Sequence, residues 1–210
     1  MYLVERIRDG GSFCTRRVDA IQYGETIFSM SASFQTDQSG VHHQDLMPEA
    51  PPPDDLPGFR TGGGIFDDAG FAQFDEWDVR IVPKGKLVRI PGEASQQQVW
   101  FRHRDALPDD PVLHICALAY MSDLTLLGSA QVHHREESKH LQISSLDHAM
   151  WFMRPFRADE WMLYDQSSPS ACGGRALTRG EIFTADGDMV AMVMQEGLTR
   201  YPRTFPAPAP

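Results

Sequence analysis

One stretch of this chain, LPDDPVLHICALAYMSDLTLLGSA at 107–130, reads as a helix, while the other regular segments read as strands. Asp109 and Asp110 ahead of Pro111 suit an N-terminal cap and first turn, which predicts a helix from about 111 to 128 ending near Gly128. Ile115, Leu118, Ala119, Ser122 and Leu126 recur at helical spacing and define its expected buried face. A helix set among strands hides such a face by lying under a sheet.

Three strands are expected first: YLVERIR, SFCTRRVDAIQY and ETIFSMSASFQ within 2–36, joined at DGG and YGE as an antiparallel meander. MPEAPPPDDLPG and RTGGG then break the period, so 37–74 reads as a linker or long loop. DEWDVRIVP and QQQVWFRHRD precede the helix as strands, and the polar HHREESKH after it reads as a loop. LQISSLDHAMWFM, EWMLYDQSSPSA, GRALTRGEIFTA and MVAMVMQEGL follow as strands, and a Pro-rich tail closes the chain at 203–210.

Composition narrows the function. With 29 acidic against 19 basic residues and a formal charge of −10, no nucleic-acid partner is expected. Cys14, Cys116 and Cys172 have no paired spacing, which suggests neither a disulfide framework nor a zinc knuckle. The N-terminal MYLVERIRDGG lacks a signal-peptide core, and the apolar run near ICALAYM is short for a bilayer. A cytoplasmic protein without membrane insertion is the expectation.

The two ends of the chain echo one another. SFCTRRV at 12–18 aligns with SACGGRA at 170–176, and SMSASFQ ending at Gln35 aligns with VAMVMQ ending at Gln195. The second copy is preceded by two strands, a helix and a strand that the first lacks, so roughly 80 residues are expected to be absent from the front.

RIRDGGSFCTRRVDAIQYGETIFSMSASFQ, LAYMSDLTLL, SLDHAMWFMRPF and VMQEGL, in this order, resemble the acyl-CoA thioesterase II (TesB-like) family of double hotdog enzymes. The resemblance implies an α+β fold in which antiparallel sheets each wrap a helix. Residues 1–36 would be a partial first hotdog without its helix, and 75–202 a complete second one carrying the site. Three strands without a helix would leave Ile27, Met30 and Phe34 uncovered, and together with the family's habit this implies a homo-oligomer.

The resemblance also implies a chemistry: hydrolysis of an acyl-CoA thioester to fatty acid and CoA. No G-x-S-x-G elbow is present and no cysteine has an informative histidine, which leaves a directly attacking water. Carried over by motif, the catalytic set is Asp123 of YMSDLTLL, Ser145 two places before the Asp of LDH, and Gln195 of MQEG. Ser145 stands where the family usually has Thr, and Met153 where it commonly has His. No cofactor and no metal are implied.

Strand alternation adds an expectation about Asp147 and His148. If 141–153 is one strand, Ser145, Asp147, Ala149 and Trp151 share a face, and His148 turns away with Met150 and Phe152. Asp147 is then placed behind the water site and His148 is a structural histidine. Trp151 is a candidate for the acyl chain, and Arg154, with Arg157 and Arg175, for CoA phosphates or a solvated basic face. Two alternatives stay open. One is a hotdog enoyl-thioester hydratase using Asp109, Asp110 and His114; the other is a non-catalytic acyl-CoA binding module or an inactive shortened homologue.

Overall fold

The computed structural model describes residues 1–58, 76–88, 92 and 95–202, with Ser95 by its backbone alone. The expected tail at 203–210 and most of the second half of the expected linker lie outside the described residues. The chain divides into two compact units, Met1–His43 and Gln44–Pro210.

The first unit is an antiparallel sheet of β1 (Tyr2–Asp9), β2 (Phe13–Gln22) and β3 (Glu25–Gln35) in the order β1-β2-β3. Tyr23 and Gly24, both at positive φ, make the two-residue turn between β2 and β3, the conformation that matches strand twist in a tight hairpin. Ile27, Met30 and Phe34 on β3 are exposed by 62%, 43% and 54%.

The second unit is a seven-stranded antiparallel sheet around one main helix. Its strands are β4 (Trp77–Ile81), β5 (Ser95–His103), β6 (Gln142–Ser145), β7 (Ala149–Phe152), β8 (Met162–Cys172), β9 (Arg175–Thr184) and β10 (Met189–Arg200). They run in the order β4-β5-β8-β9-β10-β6, and β7 also pairs with β10. Helix α1 (Pro111–Leu126) starts where expected, the Asp110 carboxylate accepting the N–H of Val112 at 3.0 Å with Pro111 in the first turn. Short helices α2 (Gly128–Gln131) and α3 (Arg135–Ser138) follow, the latter inside the stretch expected to be a loop.

Helix α1 buries Leu118, Ser122 and Leu126 of the expected face, with Ala119 half-buried, and its inner face is rotated to add His114, Met121 and Thr125 in place of Ile115. His114, Leu118, Met121, Ser122, Thr125 and Leu126 point inward, whereas Ile115 is 38% exposed. The helix is apolar nearly all round, so periodicity alone does not choose its inner face. Polar partners inside the sheet do: Thr125 accepts from Gln166 at 2.6 Å, and His114 Nδ1 accepts the N–H of Ala158 at 3.0 Å. Leu118, Met121 and Leu126 pack with Val99, Phe101, Tyr164, Ile182 and Val193 from the strands. The continuous stretch Pro111–Gln131 is, by length and composition alone, able to cross a bilayer, which counting only the run around ICALAYM understated; half of its most apolar window is buried against its own protein.

The other face of the sheet holds a strap. Trp100, Leu163, Val82 and Leu56 form a second apolar cluster, with Met47 and Ala50 packed on it. Trp100 Nε1 donates to the carbonyl of Pro51 at 2.8 Å, and Gln44 clamps the β9–β10 turn by donating to Gly187 O and accepting from Met189 N. The absence of a period in the Pro-rich stretch meant irregular backbone there; Met47, Ala50 and Leu56 are nonetheless packed, while Leu46 is exposed.

One irregularity in the sheet governs the site. The segment expected as a single strand, 141–153, is two strands with a break at Leu146–His148. Ser145 faces Gly197 and Ala149 faces Met194, so four steps on this side meet three on β10. That is a bulge of one extra residue, in which Leu146 N and Asp147 N both donate to the carbonyl of Glu196. The Asp147 carboxylate locks it by accepting the N–H of Glu196 at 2.7 Å.

Candidate active site

Three chain segments meet where α1 passes over the β6 end of β10. Gln195 is fully buried on the helix-facing side of β10, its carbonyl held by Thr178 Oγ1 of β9 at 3.0 Å. Two residues on, Gly197 permits close approach: a Cβ there would stand 2.3 Å from Leu127 Cδ1. That contact brings the end of α1, and with it Asp123, down onto the strand.

Asp123 Oδ1 is the focus. Gln195 Nε2 donates to it at 2.5 Å and to Ser145 Oγ at 2.8 Å, while Ser145 Oγ donates to the same carboxylate oxygen at 3.3 Å. Among the described residues none bonds Oδ2, and the Asp123 side chain is 50% exposed. The carboxylate is therefore fixed by one edge and open at the other. An arrangement of this kind can hold a water molecule and take a proton from it.

Residues 68–198 match the family described as acyl-CoA thioesterase. Acyl-coenzyme A thioesterase 8 of Mus musculus is 37% identical over 95% of this chain and 67% of that protein. Acyl-CoA thioesterase 2 of Haemophilus influenzae is 32% identical over 96% of this chain and 73% of that protein. The chain belongs to the acyl-CoA thioesterase family.

The crystal structure of acyl-CoA thioesterase II TesB2 from Mycobacterium marinum superposes with a TM-score of 0.89 at 72% identity, covering 97% of this chain and 75% of that one. A hotdog-fold protein of unknown function from Alicyclobacillus acidocaldarius gives a TM-score of 0.77 at 20% identity over 96% of this chain and 72% of that one, a likeness of fold alone. The thioesterase is thus an α+β protein of the double hotdog type and an enzyme of the hydrolase class.

Of the residues singled out in the sequence of this thioesterase, Asp123, Ser145 and Gln195 come together. Asp147 does not face them; its carboxylate is spent on the bulge. His148 corrects the expectation from strand alternation. The extra residue resets the alternation after Ser145, so Met150 and Phe152, opposite Val193 and Ala191, share the helix-facing side with Ser145. His148 turns inward, its Nε2 2.8 Å from Ser122 Oγ and its Nδ1 3.8 Å from Asp123 Oδ1. Trp151, expected beside Ser145, sits opposite Met192 on the outer side. Arg154 donates to the carbonyl of Met189, and neither it nor Trp151 is among the groups on Asp123.

Burial pushes the pKa of His148 below its ordinary value, against the carboxylates of Asp123 and Asp147 and the Gln195 side chain, which favour the protonated ring. The ring is neutral at neutral pH. Burial also raises the pKa of Tyr164, so its hydroxyl stays protonated and donates to the carbonyl of Ser122 at 3.2 Å.

Ser122 and His148 are the neighbours that sequence reasoning missed. A signal was available: a polar pair interrupting an apolar strand is where a bulge belongs. The residues of the hydratase alternative have structural duties, Asp109 pairing with Arg157 at 3.0 Å, Asp110 capping α1 and His114 bonding Ala158. Among the described residues no group of three or more His, Cys, Asp or Glu could hold a metal ion.

Proposed function

We propose that this thioesterase hydrolyses acyl-CoA thioesters by direct attack of water, with Asp123 as base and Ser145 and Gln195 as the groups that fix base and water. The convergence of Gln195 Nε2 and Ser145 Oγ on one carboxylate oxygen supports the reading. Oδ2 takes the proton as the water oxygen bonds the thioester carbon. Collapse of the tetrahedral intermediate breaks the C–S bond, and the proton leaves with the CoA sulfur as thiol. The charge-assisted bond from Gln195 holds the carboxylate in one rotamer, which leaves less to be ordered at the moment of reaction.

Acyl-CoA is the proposed substrate, in keeping with the relatives, which are named acyl-CoA thioesterases, and the exposed apolar side chains of β3 favour self-association. Release of free thiol from saturated acyl-CoA tests the activity, since a hydratase has no reaction with it. Asp123→Asn keeps the shape of the side chain and should lower kcat about 10²-fold or more. Near-normal turnover in that variant would remove Asp123 from the mechanism, and binding of acyl-CoA without thiol release would favour a non-catalytic module.

A further inference from the structure

His148 has no part in the mechanism above, yet its ring bridges the helix and the base. Which nitrogen carries the proton follows from the neighbours. On the Nδ1 side stands Asp123 Oδ1, an anion and an acceptor. Gln195 also acts on the ring, and its buried Oε1 has no hydrogen-bond partner among the described residues. On the Nε2 side stands the Ser122 hydroxyl, which can donate or accept. The Ser122 hydroxyl has one proton and three acceptors in reach, Nε2, the carbonyl of Ala119 at 2.8 Å and Met150 Sδ at 3.2 Å; in a continuous helix that carbonyl already accepts the N–H four residues on and the thioether is a weak acceptor, so Nε2 has the greatest need of the proton. The arrangement that sets no bare nitrogen against a carboxylate has Ser122 donating to Nε2 and Nδ1–H directed at Asp123.

We infer that His148 is a positioning residue for Asp123: a neutral imidazole, braced by Ser122, turns Nδ1–H toward Oδ1 and leaves Oδ2 as the basic edge facing water. The inference rests on the proposed role of Asp123 as base. At 3.8 Å the contact is longer than a hydrogen bond, so in the resting site the ring acts on the carboxylate as an oriented dipole. The bulge is what delivers it: without the extra residue at Leu146–His148, strand alternation would turn the ring to the outer side. The titratable groups that face the ring are Asp123 from α1 and Asp147 from its own segment; β10 contributes the uncharged Gln195. A protonated ring would pair with Asp123 and lower its basicity, so the neutral state is the working one.

Steady-state kinetics on acyl-CoA with His148→Leu, His148→Asn and Asp123→Asn test this. Asn is chosen because its side-chain N–H sits near the place of Nδ1–H. His148→Leu should lose about 10- to 100-fold in kcat with KM changed less than about twofold, the pattern of an interaction used in the transition state. His148→Asn should recover most of the loss. The fall of kcat on the acid side should involve two protonations in the natural enzyme and one in His148→Asn. A His148→Leu enzyme within about twofold of normal kcat overturns the inference, as do equal losses in Leu and Asn variants with an unchanged acid limb, which would mean that the ring only packs. Asp123→Asn separates the two readings: if it loses turnover while His148→Leu is normal, only the inference about His148 fails; if it keeps turnover, the base assignment fails and His148 falls with it.

Discussion

Gln195 Nε2 bonds Asp123 Oδ1 and Ser145 Oγ at once, reaching 72 residues back to one and 50 to the other. A neutral amide does this without adding charge. Gln195→Glu would set a second carboxylate at hydrogen-bond distance from the first, and like charges that close raise each other's pKa. The base would then be neutralised at higher pH than in the natural enzyme. The acid limb of the kcat profile should move toward alkaline pH in Gln195→Glu, with lower kcat at neutrality; an unmoved limb would show that Asp123 is not the titrating base.

Much of the fold was legible because it rests on local signals. The Asp-Asp-Pro start of α1 and the hairpin turn after Gln22 follow from residue type. The grouping of Asp123, Ser145 and Gln195 was readable from family motifs, since no local pattern links positions so far apart. The facing of His148 and Trp151 was not readable, because the count of residues between ladder pairs is set by β10, a strand 40 and more residues away. A one-residue bulge inverts every side chain beyond it. The inner face of α1 was legible only in part, for another reason: Leu118, Ser122 and Leu126 were expected inside, but His114 and Thr125 are polar positions that hydropathy counts as outward and that hydrogen bonds turn inward.

Asp147 is a test of the bulge itself. Its carboxylate accepts the Glu196 N–H, its one hydrogen bond among the described residues. Asp147→Ala should destabilise by about 1 kcal/mol, the worth of one net hydrogen bond. It should also lower kcat, because His148 is the next residue. Asp147→Asn keeps an acceptor oxygen and should retain most of both. Chemical denaturation with parallel kinetics checks the pair, and equal behaviour of Ala and Asn would deny the carboxylate its part in the break.

Gly197 should tolerate no side chain. An added Cβ meets Leu127 Cδ1, Cδ2 and Cγ at 2.3, 2.6 and 3.0 Å, and Leu127 is itself buried. Gly197→Ala is expected to cost about 1–3 kcal/mol by overpacking, and to lower kcat by lifting the end of α1 from β10. Leu127→Ala makes room at its own expense. A double-mutant cycle should therefore show strong coupling, with the pair less destabilised than the two single losses added. Additive losses would place the strain elsewhere.

The loop that carries the chain past the helix start depends on a charge cluster whose pH response has a definite sign. Arg157 forks onto Asp159, Nε to Oδ1 at 3.0 Å and Nη2 to Oδ2 at 2.9 Å, and also reaches Asp109 and the carbonyl of Leu107. The Arg157 bonds, helped by the Leu107 N–H and opposed by burial, hold the pKa of Asp159 down at about 2 from an ordinary 3.8. A depressed carboxylate pKa stabilises the fold above the unfolded-state value, and that contribution is lost as pH falls through the folded one. The stability due to Asp159 should therefore be complete at neutral pH and disappear between about pH 4 and pH 2. Asp159→Asn should be less stable than the natural protein at pH 7, and the gap should close across that window as both are titrated downward. Denaturant midpoints measured at several pH values read this directly; a gap that persists below pH 2 would assign the effect to packing and not to the ion pair.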